Sequence, residues 1–136
     1  MGCLKLNVDA AVFEERDVIG IGGTIRDHDG VVLVCWALQL TGNFDVLTSE
    51  LLAIREGIRL AIEFGYPLDE IDSDSLLAIN AINRPHPCST VVSVVKDINF
   101  FITSAGYGSC HHISRVGNMV AHELAFFAIR AQVDKV

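Results

Sequence analysis

Apolar residues recur at every second position in the opening of this chain and at helical spacing after residue 40. That single change of period restricts the fold more than any other feature. Leu4, Leu6, Val8 and Ala10 alternate with Lys5, Asn7 and Asp9, the signature of a strand. A second strand is expected over Val18 to Arg26, with Gly20, Gly22 and Gly23 inside it. Glycine weakens a strand, so three of them mark a bulge or a place where another backbone comes close. Asp27-His28-Asp29-Gly30 has the composition of a hairpin turn, and Val31 to Leu40 reads as the returning strand. Leu51, Ile54, Ile58 and Ala61 then fall on one helical face, with Thr48 or Ser49 as the expected cap and Gly65 and Pro67 as the stop. Leu68 to Ser73 is a short strand and Ser75 to Ile82 a short helix. Arg84-Pro85-His86-Pro87 breaks the chain. Val91, Val94, Val95, Ile98, Phe101 and Ile102 share helical spacing, Ser109 to Ser114 forms a last strand, and Gly117-Asn118 opens a helix reaching about Arg130. The order βββ-α-β-α-α-β-α implies an α/β fold with a mixed sheet covered by helices.

At 136 residues the expectation is a single domain spanning 1–136, able to bury roughly 68–70% of its unfolded surface. The longest apolar stretch, Val31 to Leu38, is far short of a membrane span. No signal-peptide pattern precedes the first strand, so the expected setting is intracellular, nucleus and cytoplasm not being distinguished. Cys3, Cys35, Cys88 and Cys110 are widely spaced without a C-x-x-C pair, which argues against structural zinc and a disulfide framework. The net charge of −7 with scattered basic residues argues against a strong free-standing nucleic-acid binder, whose affinity rests on phosphate neutralisation.

Three carboxylates stand at three junctions of this pattern: Asp9 in the first strand, Glu50 in the first turn of the long helix, and Asp74 between a strand and a helix. Each has an ordinary alternative. Asp9 could share a wet strand face with Lys5 and Asn7, Glu50 could favour the helix dipole, and Asp74 could cap the helix that follows. Convergence would instead suggest a divalent cation and phosphate chemistry. Glu50, Ile54, Gly57 and Ala61 share one face, and Gly57, costing about 1 kcal/mol relative to Ala, makes sense if that face presses on the sheet.

The chain resembles the ribonuclease H-like domains attached to reverse transcriptases of plant retroelements. The resemblance rests on five stretches in order. They are Leu4-Lys5-Leu6-Asn7-Val8-Asp9-Ala10-Ala11, Gly20-Ile21-Gly22-Gly23-Thr24-Ile25-Arg26-Asp27, Ser49-Glu50-Leu51-Leu52-Ala53-Ile54, Asp72-Ser73-Asp74-Ser75 and Ser114-Arg115-Val116-Gly117-Asn118-Met119-Val120-Ala121-His122-Glu123-Leu124-Ala125. It implies a five-stranded mixed sheet, strands 1–3 antiparallel and two more parallel, flanked by helices. It also implies catalytic and metal-holding roles for Asp9, Glu50 and Asp74, with Asp72 as the runner-up for the third. His122, a candidate catalytic residue as weak ligand or positioning group, or else a structural one, stands where the family usually has a fourth Asp, which puts a second metal in question. Imidazole suits Mn²⁺ better than Mg²⁺, and Glu123 lies about 100° further round the helix. His111 and His112 do not map onto the family's mobile histidine.

The implied activity is hydrolysis of the RNA strand of an RNA–DNA hybrid with Mg²⁺ or Mn²⁺, by two ions roughly 3.5–4 Å apart, Asp9 bridging them. Weakly bound hybrid and a tethered reverse transcriptase domain are the implied partners. Backbone groups near Ala10, Ala11, Gly22 and Gly23 are candidates for sensing the ribose, since small residues allow close approach. The competing reading is a ribonuclease H-like module without catalysis, serving a structural or interaction role.

Overall fold

In the computed structural model, which describes residues 3–87 and 89–131, five strands form one sheet in the order β3-β2-β1-β4-β5. The strands are β1 (Lys5–Phe13), β2 (Val18–Arg26), β3 (Val32–Thr41), β4 (Glu70–Ser73) and β5 (Cys110–His112). The helices are α1 (Val46–Phe64), α2 (Leu76–Asn83), α3 (Val92–Ala105) and α4 (Met119–Ala131). β1 pairs antiparallel with β2, and β2 with β3, through the hairpin expected at Asp27 to Gly30. β1 pairs parallel with β4, and β4 with β5. This is the mixed sheet the period change implies, with β1 at its centre. No helix among the described residues is long and apolar enough to cross a membrane.

The two faces of β1 carry different chemistry because side chains alternate along a strand. Leu6 and Val8 meet α1 and are fully buried. Gly57 is what lets α1 come so close, since a Cβ there would lie 2.8 Å from Val8 Cγ1. The opposite face, with Asn7, Asp9 and Ala11, lies under α4. Asn7 and Asp9 are only 3% and 2% exposed, so the wet-face alternative for Asp9 does not hold.

Among the boundaries that differ from the sequence expectation, β4 starts at Glu70 instead of Leu68, and two others bear on the site. The cap of α1 is Asp45, whose Oδ1 accepts the Thr48 N–H at 2.7 Å, not Thr48 or Ser49. The helix therefore begins earlier, and Glu50 lies beyond its first turn, where a dipole argument has little force. The last strand stops at His112. A 3₁₀ turn, Val116–Asn118, leads directly into α4.

Asn118 joins that turn to the sheet. It is 1% exposed, its Nδ2 donates to the Val8 carbonyl at 2.7 Å, and its Oδ1 accepts from Asn7 Nδ2 at 3.2 Å. Asn118→Leu strands both partners in a dry interior. The expected loss is about 2–4 kcal/mol, read as a lower urea midpoint with an unchanged slope.

Candidate metal and nucleic-acid site

β4 is the reason the acids meet. It ends at Ser73, opposite Val8, so β1 continues beyond it with unpaired backbone groups. Glu50, arriving on α1, takes up one of these: its Oε1 accepts the Ala10 N–H at 2.7 Å. Asp9, next to Ala10, and Asp74, just past the end of β4, complete the group. One carboxylate oxygen from each of Asp9, Glu50 and Asp74 lies within 4.8 Å of the others.

Crowding these acids in a covered place alters their protonation. Burial, then the charge of Asp9 and a hydrogen bond shared with it, then the charge of Asp74, push the Glu50 carboxyl up to about 9, against a smaller opposing pull from the Ala10 N–H. Burial and the charge of Asp9 also raise Asp74, opposed by Arg115 and His122. Asp74 Oδ2 is buried without a hydrogen-bond partner. An all-oxygen donor set, an orphaned oxygen and a proton retained because the carboxylates are buried and crowded are what a hard divalent cation would satisfy.

A pH dependence follows. Between the ordinary carboxylate range and about 9 the folded chain keeps a Glu50 proton that the unfolded chain releases. The folded state then binds more protons, so stability falls as pH rises through that window and levels off above it. Asp72, raised to about 7 by burial and by sharing a hydrogen bond with Glu70, acts in the same direction. Melting in EDTA should therefore show a Tm that declines from pH 5 to 9, and a saturating divalent cation should lessen the decline. A flat metal-free profile would contradict the assignment of these shifts.

The other candidates separate by location. Asp72 points away from the group, toward Glu70 and Lys5, so the runner-up for the third acid is set aside in favour of Asp74. His122 is beside the group: its Nδ1 lies 2.7 Å from Asp9 Oδ2, and its ring packs edge-on against Phe126 at 4.9 Å. His111 and His112 are exposed on β5. On the side-chain side of Ala11, Gly22 and Gly23 the protein itself makes a close approach. Ala11 packs on Ala125 and Ile129. A Cβ at Gly22 would collide with the backbone of Ala121 and Ala125, and one at Gly23 with the indole of Trp36. Ala10 stays half-buried at the edge of the site with its N–H committed to Glu50.

Sequence reasoning missed Arg115, whose Nε lies 3.5 Å from Asp74 Oδ2. It also missed a cleft of about 270 Å³ on the α4 side of the sheet, lined by Asn7, Thr24, Arg26 and Asn118 among others. Arg115 lies in a stretch already singled out, three residues before Asn118. Nothing in spacing alone pairs it with Asp74.

Comparison with known proteins agrees with this fold. Residues 7–128 match the family model described as reverse transcriptase-like. No protein in the curated set matches. Among solved structures, RNase H1 from the halophilic archaeon Halobacterium salinarum NRC-1 superposes with a TM-score of 0.85 at 19% identity, covering 96% of this chain and 99% of that one. LC11-RNase H1 in complex with an RNA/DNA hybrid gives 0.83 at 20% identity, covering 95% and 98%. The prototype foamy virus protease-reverse transcriptase gives 0.67 at 17% identity, and there this chain covers only 20% of the larger one. At these identities the structural likeness speaks for the fold, and the family match for descent: the chain belongs to the reverse transcriptase-like family and is a ribonuclease H-like domain.

Proposed function

We propose that the domain is a divalent-metal-dependent endoribonuclease that hydrolyses the RNA strand of RNA–DNA hybrids, with Mg²⁺ or Mn²⁺ as its cofactor. The observation that carries this reading is the meeting of Asp9, Glu50 and Asp74 within 4.8 Å at the end of β4. Asp9, Glu50 and Asp74 would hold the cation. When bound, it supplies positive charge that polarises the phosphate and lowers the pKa of water. The remaining work belongs to the chain. The Ala10 N–H fixes the Glu50 carboxylate, which must release its proton when the site fills. His122 holds Asp9 through Oδ2 and keeps that side chain oriented. Water is added across the P–O3′ bond, leaving a 5′-phosphate and a 3′-hydroxyl.

The hybrid complex of LC11-RNase H1 supports the substrate class, and the foamy virus match supports a setting tethered to a reverse transcriptase domain. Discrimination would rest on the 2′-hydroxyl and groove shape instead of base edges. With a net charge of −7 and few cations to neutralise phosphates, binding should be weak and its salt slope shallow. The test is cleavage of a labelled hybrid in Mg²⁺ or Mn²⁺, with DNA duplex and EDTA controls. RNA-strand cuts that require metal support the reading. One observation favours a second reading, a module without catalysis: His122 already occupies an oxygen of Asp9. Metal binding without cleavage would select it.

A further inference from the structure

We propose that Arg115 is the phosphate-holding side chain of this site, a guanidinium that leans weakly on Asp74 and turns to the substrate's phosphate where a divalent cation neutralises Asp74. The proposal rests on the nuclease reading above and deepens it by naming a substrate-binding residue. Three observations carry it.

The contact with Asp74 is weak and one-sided. Arg115 Nε stands 3.5 Å from Asp74 Oδ2, yet the guanidinium side chain is 65% exposed while that of Asp74 is 6% exposed. The oxygen it faces has no hydrogen-bond partner, so the attraction is Coulombic, without the paired geometry that makes arginine–carboxylate bridges strong. With its guanidinium in solvent and no hydrogen bond formed, the pair adds little, and a divalent ion bound directly to the carboxylate would outcompete it.

The base of the side chain is fixed while its tip is free. The Arg115 carbonyl accepts the Asn118 N–H at 3.0 Å, closing the 3₁₀ turn. Asn118 in turn is bound to the Val8 carbonyl in the core. Arg115 therefore swings from an anchored point at the rim of the acids. A phosphate drawn to those acids by a cation would come within its reach, and the planar guanidinium matches phosphate oxygens.

The rest of the surface leaves this role open. The chain carries seven more acidic than basic residues. Among the described residues Arg115 is the arginine or lysine paired with the Asp9, Glu50 and Asp74 group. One guanidinium at the mouth should then make an unusually large share of the phosphate contact.

The experiment compares wild type, Arg115→Ala and Arg115→Lys in two titrations. Calorimetry with Mn²⁺ alone should show Arg115→Ala binding about two- to fivefold more tightly, because a competing cation is gone. Anisotropy with a fluorescent RNA–DNA hybrid, in Ca²⁺ so that it is bound without being cut, should show affinity falling at least about tenfold. The salt slope should flatten by about 0.9, one phosphate contact. Arg115→Lys should restore the salt slope but only part of the affinity. If wild type binds Mn²⁺ and hybrid and Arg115→Ala matches it in both, the Arg115 role is overturned and the nuclease reading stands. If wild type binds no Mn²⁺, both fall together.

Discussion

Asp9→Asn should lower metal-dependent hybrid cleavage by about 10³-fold or more, the several kcal/mol of charge stabilisation a bound cation contributes. The fold should survive. Asn is nearly the same shape, and its side-chain oxygen can still accept from His122 Nδ1, which lies 2.7 Å from Asp9 Oδ2. Removing this charge also relieves Glu50, whose raised carboxyl owes its second-largest contribution to Asp9. The variant should therefore melt higher than wild type in EDTA and lose the stabilisation that Mn²⁺ gives wild type. Activity assays with parallel melting curves check both halves. Near-wild-type cleavage by Asp9→Asn would refute its role.

A large loss of stability is expected from a side chain at Gly22. A valine there would drive its side chain into the backbone of Ala121 and Ala125, with Leu124 Cβ at 2.8 Å from the first added carbon. Backbone cannot step aside as a flexible side chain can, so α4 must lift from the sheet. We expect a loss of about 3 kcal/mol or more, or no folded protein at all. Lifting α4 also removes His122 from Asp9. Gly117→Ala provides the contrast: its new Cβ would meet Ile113 Cδ1 and Ser114 Oγ at an ordinary 3.7 Å. That change should stay within about 0.5 kcal/mol. Urea denaturation of both variants checks the pair, and equal stabilities would contradict the packing described for α4.

The fold was legible in the sequence because its rules are local. Alternation marks β1, the turn chemistry of Asp27 to Gly30 marks the hairpin, and the i, i+4, i+7 face of α1 marks the helix that covers β1. Gly57 was legible as well, since a costly helix glycine implies a close neighbour, and Val8 is that neighbour. The glycines of β2 were legible only as close approaches. What approaches them on the Cβ side, α4 from far along the chain and Trp36 from β3, depends on long-range packing and leaves no local trace. The cap of α1 was misplaced because Asp45, Thr48 and Ser49 are all competent cap residues, and only the observed bond to the Thr48 N–H selects among them.

The three acids could be named from their junctions and the family likeness, but the reason they meet was not visible. It is the early end of β4, which exposes the Ala10 N–H to Glu50. The partners of the acids were equally hidden. His122 faces Asp9 across 113 residues, and Arg115 faces Asp74 from a turn whose position depends on Asn118 deep in the core. Such pairings follow from tertiary packing and leave no periodic trace.

The central claim is that Asp9, Glu50 and Asp74 hold one common cation. Crystals soaked in Mn²⁺ and measured at the manganese absorption edge test it most directly. The account predicts an anomalous peak bounded by oxygens of all three side chains, absent from crystals of Asp9→Asn. A wild-type map with no peak among these carboxylates at millimolar Mn²⁺ would contradict it.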